Sequence, residues 1–112
     1  KSHLTRILNN LIKNSLQSER LNVPIEVQVE LKKDSHHYIL LISDNGSGIS
    51  QTIQDKIYEP NFTTKNSGMG LGLAMVKNII DSLNGDISYE TSSIGTIFKI
   101  LLPIIHLKNK NS

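Results

Sequence analysis

The chain has 112 residues, of which 38% are hydrophobic and 20% charged, with 12 Lys/Arg against 10 Asp/Glu for a formal net charge of +2. That fits one globular domain and excludes a disordered chain, and a domain this long buries roughly two-thirds of its unfolded surface. No cluster of five like charges, 4% aromatic residues and no cysteine together exclude a charge-driven nucleic-acid or membrane-surface role, a base-stacking platform, disulfides and thiol chemistry.

From Leu4 to about Glu19, apolar residues recur at Leu4, Ile7, Leu8, Leu11, Ile12 and Leu16, one face of a helix. His3, Arg6, Asn10, Asn14 and Gln17 form a polar stripe beside it, as expected where a helix borders a cleft. Ile25 to Lys32 alternates apolar and polar residues, the pattern of a strand with one wet face. Asp34 to His37 is a turn, with His36 and His37 solvated. Tyr38 to Ile42 is an apolar run that reads as a central strand ending at Ser43 and Asp44. Ser50 reads as a cap for a helix over Thr52 to Tyr58. Pro60 to Gly70 has no period and reads as a loop, long enough to suggest function.

A second helix follows, with Gly72, Val76, Ile79, Ile80 and Leu83 on one face, and Asn84-Gly85 ends it. Strands near Asp86–Thr91 and Thr96–Leu102 close the domain. Residues 1–107 read as the domain and 108–112 as a polar tail. No apolar run approaches the ~18 residues that span a bilayer. The chain begins at Lys1 with no signal-peptide pattern and reads as a piece of a longer protein. The element order predicts a two-layer α/β sandwich, a mixed sheet with helices on one face.

Four short segments carry candidate chemistry. Asn10 and Asn14 lie at i, i+4 on one side of the first helix, and amide oxygens are hard donors suited to Mg²⁺. Taken alone, they also read as surface or capping residues. Asp44-Asn45-Gly46-Ser47-Gly48 follows the central strand; its carboxylate is placed to accept from an exocyclic amine, although the segment alone is a plain turn. Gly68-Met69-Gly70-Leu71-Gly72-Leu73 runs from loop into helix, where free N–H groups bind phosphate. It lacks the strand that precedes a Rossmann motif and the Gly-Lys-Ser/Thr ending of a P-loop. Gly95-Thr96 opens the last strand.

In this order, the segments resemble the catalytic, ATP-binding domain of sensor histidine kinases, the Bergerat fold, over Leu4 to Pro103. Asn10 to Asn14 is similar to the N box, Asp44 to Ile49 to the G1 box, Gly68 to Leu73 to the G2 box and Gly95-Thr96 to the G3 element. Glu59-Pro60-Asn61-Phe62-Thr63-Thr64-Lys65 resembles the F box of nitrogen-regulation-type sensors.

The resemblance implies ATP and Mg²⁺ as cofactors, with Asn14 as Mg²⁺ ligand and Asn10 near phosphate or the metal's water shell. Asp44 would bond the adenine amine, with Thr96 nearby, and Gly46, Gly48 and Ile49 would lie beside the base. Phe62 and Thr64 would belong to the lid, and Lys65 would be its cation. Gly68, Met69, Gly70, Leu71, Gly72 and Leu73 would wrap the phosphates. Gln17 stands where many such kinases carry a phosphate-binding Lys.

The catalytic set is thus Asn10, Asn14 and Lys65. The partners implied are a His-bearing dimerisation domain of the parent protein and a response-regulator receiver domain. Neither nucleic acid nor direct membrane contact is implied, and the isolated chain is expected to be a cytoplasmic monomer. None of its four His has the acidic residue and nearby Pro that follow the family's phosphoacceptor. Related ATPases on this fold carry Glu at the position of Asn10. The alternatives are therefore such an ATPase or a nucleotide-binding module without chemistry.

Overall fold

The computed structural model describes residues 2–17, 20–59 and 73–104. Its elements are α1 (Ser2–Gln17), β1 (Val27–Lys33), β2 (His37–Asp44), a 3₁₀ turn (Gln54–Lys56), α2 (Leu73–Ser82), β3 (Asp86–Ser92) and β4 (Gly95–Pro103). The strands form one four-stranded sheet in the order β1-β2-β4-β3.

Every neighbouring pair in that sheet is antiparallel, where the sequence suggested a mixed sheet. The reason is topological. β1–β2 and β3–β4 are hairpins, and the crossover from β2 through α2 joins strands that run the same way with β4 inserted between them. Parallel relations therefore hold only between strands that do not touch, β2 with β3 and β1 with β4.

Register puts Asp44, Ile42 and Leu40 of β2 opposite Thr96, Phe98 and Ile100 of β4, on the face the helices cover. Ile87 and Tyr89 of β3 extend that row. Ile42, Ile100, Ile80, Val76, Ile7 and Leu11 are all completely buried, and burying each such side chain contributes roughly 1.5–3 kcal/mol. β1 is one of the two edge strands, and only its start meets the helical cover: Val27 packs against the core, while Val29 and Leu31 are exposed although they alternate correctly.

The helix expected from Leu4 is present, but its buried line runs Ile7, Leu11, Asn14, Ser15. Leu4 and Leu16, expected on the apolar face, are exposed. Two of the four buried places thus go to polar residues.

The helix expected over Thr52 to Tyr58 shrinks to a 3₁₀ turn. Its backbone bonds are Ile53 N–H to Ser50 O, Lys56 N–H to Ile53 O and Glu59 N–H to Lys56 O, all i→i−3. Ser50 and Gln54 side chains bond nearby backbone instead of capping a helix, a competition that disfavours the i→i−4 ladder.

α2 ends in a Schellman-type turn, with Gly85 N–H on Ile80 O and Asn84, not Gly85, at positive φ. In the β1–β2 turn, Asp34 Oδ1 accepts the N–H groups of His36 and His37 at 2.8 and 2.7 Å. Those backbone bonds hold the Asp34 carboxyl below its usual range. Among the described residues, no helix is long and apolar enough to cross a membrane.

Candidate functional site

α1 supplies two amides in different settings. Asn14 is buried, and its Nδ2 has no hydrogen-bond partner among the described residues. A buried amide atom left unpaired costs about 1–3 kcal/mol, which marks Asn14 as a candidate ligand position. The carboxamide is roughly two-fold about χ2 and can present its oxygen there, which fits a hard cation such as Mg²⁺. Asn10 is half-buried, and its Nδ2 donates to Arg6 O at 3.0 Å. Oδ1, the acceptor end of the amide, takes no part in that bond. Gln17 is exposed at the end of the helix.

The strand end at Asp44 is the second part. Asp44 Oδ1 accepts the N–H of Gly46 at 2.8 Å, forming an Asx turn. Among the described residues nothing bonds its Oδ2, which remains an acceptor. Asn45 locks the same turn onto the segment before β1: its side chain donates to Pro24 O (2.9 Å) and accepts from Glu26 N–H (2.7 Å). Arg20 Nε donates to Asn45 O at 2.9 Å. Asp44 is thus held by its own loop, by β1 and, through register with Thr96, by β4.

The β3–β4 hairpin closes over this turn. Thr91 Oγ1 accepts the N–H of Ile49 at 2.9 Å and lies 2.8 Å from the buried Thr96 hydroxyl. Gly48 has φ +80, and a Cβ there would collide with Ser92 O and stand 2.9 Å from Thr91 Oγ1. The missing side chain at Gly48 is therefore filled by the hairpin. Gly95 likewise lets β4 start against the carbonyl oxygen of Asp44. Two open hollows flank this junction. One, of about 350 Å³, has Asp44, Thr91 and Thr96 in its lining; the other, of about 470 Å³, has Gly48, Ile49 and Gln54.

Asp44, Gly46, Gly48, Ile49 and Thr96 are accordingly one assembly, and Asn10 and Asn14 share one helix. The side chains of Ile49 and Leu73 lie in the hydrophobic core. Phe62, Thr64, Lys65, Gly68, Met69, Gly70, Leu71 and Gly72 lie outside the described residues. Thr91, Arg20 and Asn45 were missed as site residues. Thr91 was legible in principle, since hairpin pairing around Gly95 sets it opposite Thr96. Nothing in the sequence pattern marks Arg20.

The helices thus cover one face of the sheet, with an Asp-Asn-Gly turn at the end of β2 and the Gly–Thr start of β4 beside it. The family model described as histidine kinase-, DNA gyrase B- and HSP90-like ATPase matches residues 1–106, and the chain belongs to that family. Relatives include the sensor histidine kinase GlnK of Bacillus subtilis, 36% identical over 93% of this chain. The signal transduction histidine-protein kinase AtoS of Escherichia coli is 40% identical over 90% of it. The chain spans 26% of GlnK and 17% of AtoS.

Among solved structures, the catalytic domain of histidine kinase ThkA superposes with a TM-score of 0.77 at 26% identity, covering 91% of this chain and 67% of that one. The mycobacterial sensor histidine kinase MprB gives 0.71 at 27%, covering 91% and 72%. Within the family, the chain is an ATP-binding catalytic domain of the sensor-histidine-kinase kind.

Proposed function

We propose that the domain transfers the γ-phosphoryl group of Mg-ATP to a histidine on a separate helical dimerisation domain of its parent protein, for relay to an aspartate of a response-regulator receiver domain. The observation that carries this is α1 itself: from Ser2 to Gln17 it contains no carboxylate. Water attacking a γ-phosphate is helped by a base, and a positioned carboxylate typically contributes ~10²–10⁴-fold. Asn10 cannot take that proton, and its amide is tied to Arg6 O. A neutral imidazole arrives already nucleophilic and needs no such base. Its nitrogen forms the new P–N bond as the bond from the γ-phosphorus to the bridging oxygen breaks and ADP leaves.

The chain's own residues then bind and orient. Asp44 Oδ2 accepts from the adenine amine while Gly46 N–H fixes Oδ1. Thr96 stands beside it, directly or through water. Asn14 holds the Mg²⁺ through its carboxamide, and Asn10 Oδ1 faces the phosphates or the metal's water. When bound, Mg²⁺ neutralises the charge that develops on the phosphate oxygens. Lys65, from the segment outside the described residues, is the proposed lid cation, with Phe62, Thr64 and the Gly68 to Gly72 run completing the enclosure. ATP is drawn from the cytoplasm, and the isolated chain acts as a monomer.

The test is labelling with γ-labelled ATP in the presence of an added His-bearing helical domain. Acid-labile label on that domain supports transfer. Label on this chain alone would mean that it contains its own acceptor.

A further inference from the structure

Arg6 is a cation that the proposed site leaves without a task. It stands four residues before Asn10 and eight before Asn14, so the three share one side of α1. Its Nη2 rests 3.3 Å from the thioether Sδ of Met75, in the first turn of α2. Sulfur is a weak acceptor for a guanidinium with its five N–H donors. Among the described residues no carboxylate pairs with Arg6, and α1 carries Arg6 and Lys13 but no acidic residue.

We propose that Arg6 reads the terminal phosphate of ATP: its guanidinium leaves Met75 and takes the γ-phosphate oxygens, so that Arg6 separates the triphosphate from the diphosphate product. The inference rests on the ATP-binding reading above.

The order of the site along α1 carries this. Arg20, just past the C-terminal end of α1, donates to Asn45 O of the Asp44 turn. The base end of the site therefore lies near the C-terminal end of the helix. Asn14, buried with an unpaired Nδ2, comes next, then Asn10, then Arg6, each step about 6 Å along the axis. A nucleotide with its base at Asp44 and its metal at Asn14 runs its phosphates toward the N-terminal end of α1. Arg6 is the charged residue of the row at that end.

Met75 gives a second bearing. α2 opens at Leu73, straight after the Gly68 to Gly72 run, and its first N–H groups carry the positive end of the helix dipole. Arg6 thus brings a positive charge to a positive helix end, a like-signed pair that a phosphate relieves by bonding both. The planar fork of an arginine matches two phosphate oxygens at once. A diphosphate, one phosphoryl group shorter, stops short of that place.

Dissociation constants for ATP and ADP, each with saturating Mg²⁺, would be measured by calorimetry on the wild-type chain, Arg6→Gln, Arg6→Lys and Lys77→Gln. Lys77 pairs with Asp81 on the same helix as Met75, so its variant removes one positive charge away from the row. A hydrogen bond to a charged group corresponds to roughly 10–100-fold in affinity, and the exposure of Arg6 places it at the lower end. The wild-type chain should therefore bind ATP about 10-fold more tightly than ADP. Arg6→Gln should lose most of that ratio by weakening ATP alone, and its unchanged ADP affinity shows that the fold is intact. Arg6→Lys, which keeps the charge without the fork, should retain more of the ratio, and Lys77→Gln all of it.

The proposal is overturned if Arg6→Gln keeps the wild-type ratio, or if it weakens ADP as much as ATP. A ratio lower in Arg6→Lys than in Arg6→Gln, or equally lowered in Lys77→Gln, also overturns it. Equal affinity of the wild-type chain for ATP and ADP does so with no variant needed. Nucleotide binding with any of these outcomes removes only the role of Arg6, whereas binding of neither nucleotide removes the ATP-binding reading and this proposal together.

Discussion

Replacing Gly48 by alanine tests whether the glycine turn and the β3–β4 hairpin are one packed unit. Gly48 sits at φ +80 with its open side against Ser92 O. An L-residue in the left-handed region costs about 1–2 kcal/mol. The new Cβ also meets a backbone oxygen, which has no rotamer to escape into, so the hairpin must move away. That movement stretches the Ile49 N–H bond to Thr91, now 2.9 Å, and a bond of this kind contributes about 1 kcal/mol. Steric displacement in a packed region adds about 1–3 kcal/mol.

The sum is roughly 3–6 kcal/mol, against a total of about 5–15 kcal/mol for a domain. Urea unfolding followed by circular dichroism measures it directly, and the midpoint should fall sharply with little change in slope. Nucleotide affinity should fall as well, because Asp44 and Thr96 are aligned by the same junction. A Gly48→Ala chain within 0.5 kcal/mol of wild type would refute the packing argument.

Three further outcomes are expected. Asn45→Ala removes two side-chain bonds that tie the Asp44 turn to Pro24 and Glu26; stability should drop by about 1–2 kcal/mol, and a drop confined to the error of a urea melt would contradict this. Asp44→Ala should lose preference for ATP over GTP, since a hydrogen bond to a charged group corresponds to about 1.5–3 kcal/mol; an unchanged preference in competition binding would rule Asp44 out as the reader.

The third concerns Tyr58, whose hydroxyl is buried without a partner among the described residues and whose pKa is pushed by burial up to about 12. The folded phenol therefore stays neutral while the unfolded one ionises near 10, so stability should fall as pH rises between about 10 and 12. Tyr58→Phe should be neutral or stabilising at pH 7 and should flatten that alkaline fall. A steeper fall in the variant would contradict the assignment.

The sequence carried the sheet more clearly than the helices. The unbroken apolar run at Tyr38 to Ile42 and the alternation into Leu102 locate the two central strands, because a strand buried among others leaves a strong hydrophobic signal. The motif order also led to the family that the match over residues 1–106 shows. Periodicity revealed the inward face of α1 through Ile7, Leu11 and the partly buried Leu8, but not that Asn14 and Ser15 would be buried while Leu4 and Leu16 stay exposed, which runs against hydrophobic patterning. Such a conflict is expected where a site is built into a helix.

The short segment after Ser50 misled because its Ser, Thr and Gln side chains serve equally as helix caps and as local turn bonds. Gly48 illustrates a different limit. The sequence marks it as a place of close approach, but only the fold reveals that Ser92 is what approaches. For Thr91, hairpin pairing sets it opposite Thr96, but its bond to Ile49, 42 residues away, belongs to the fold alone.

One reaction tests most directly whether this domain is a phosphotransferase without a base of its own. The chain, Mg²⁺ and γ-labelled ATP are mixed with a His-bearing helical dimerisation domain, and acid-labile protein label is counted beside free phosphate in the same tube. The expected result is label on the added domain, very slow phosphate release without it, and faster release when Asn10 is replaced by Glu with Mg²⁺ present. Robust phosphate release by the unmodified chain, with no label on the added histidine, would contradict the transferase reading and make the domain a hydrolase.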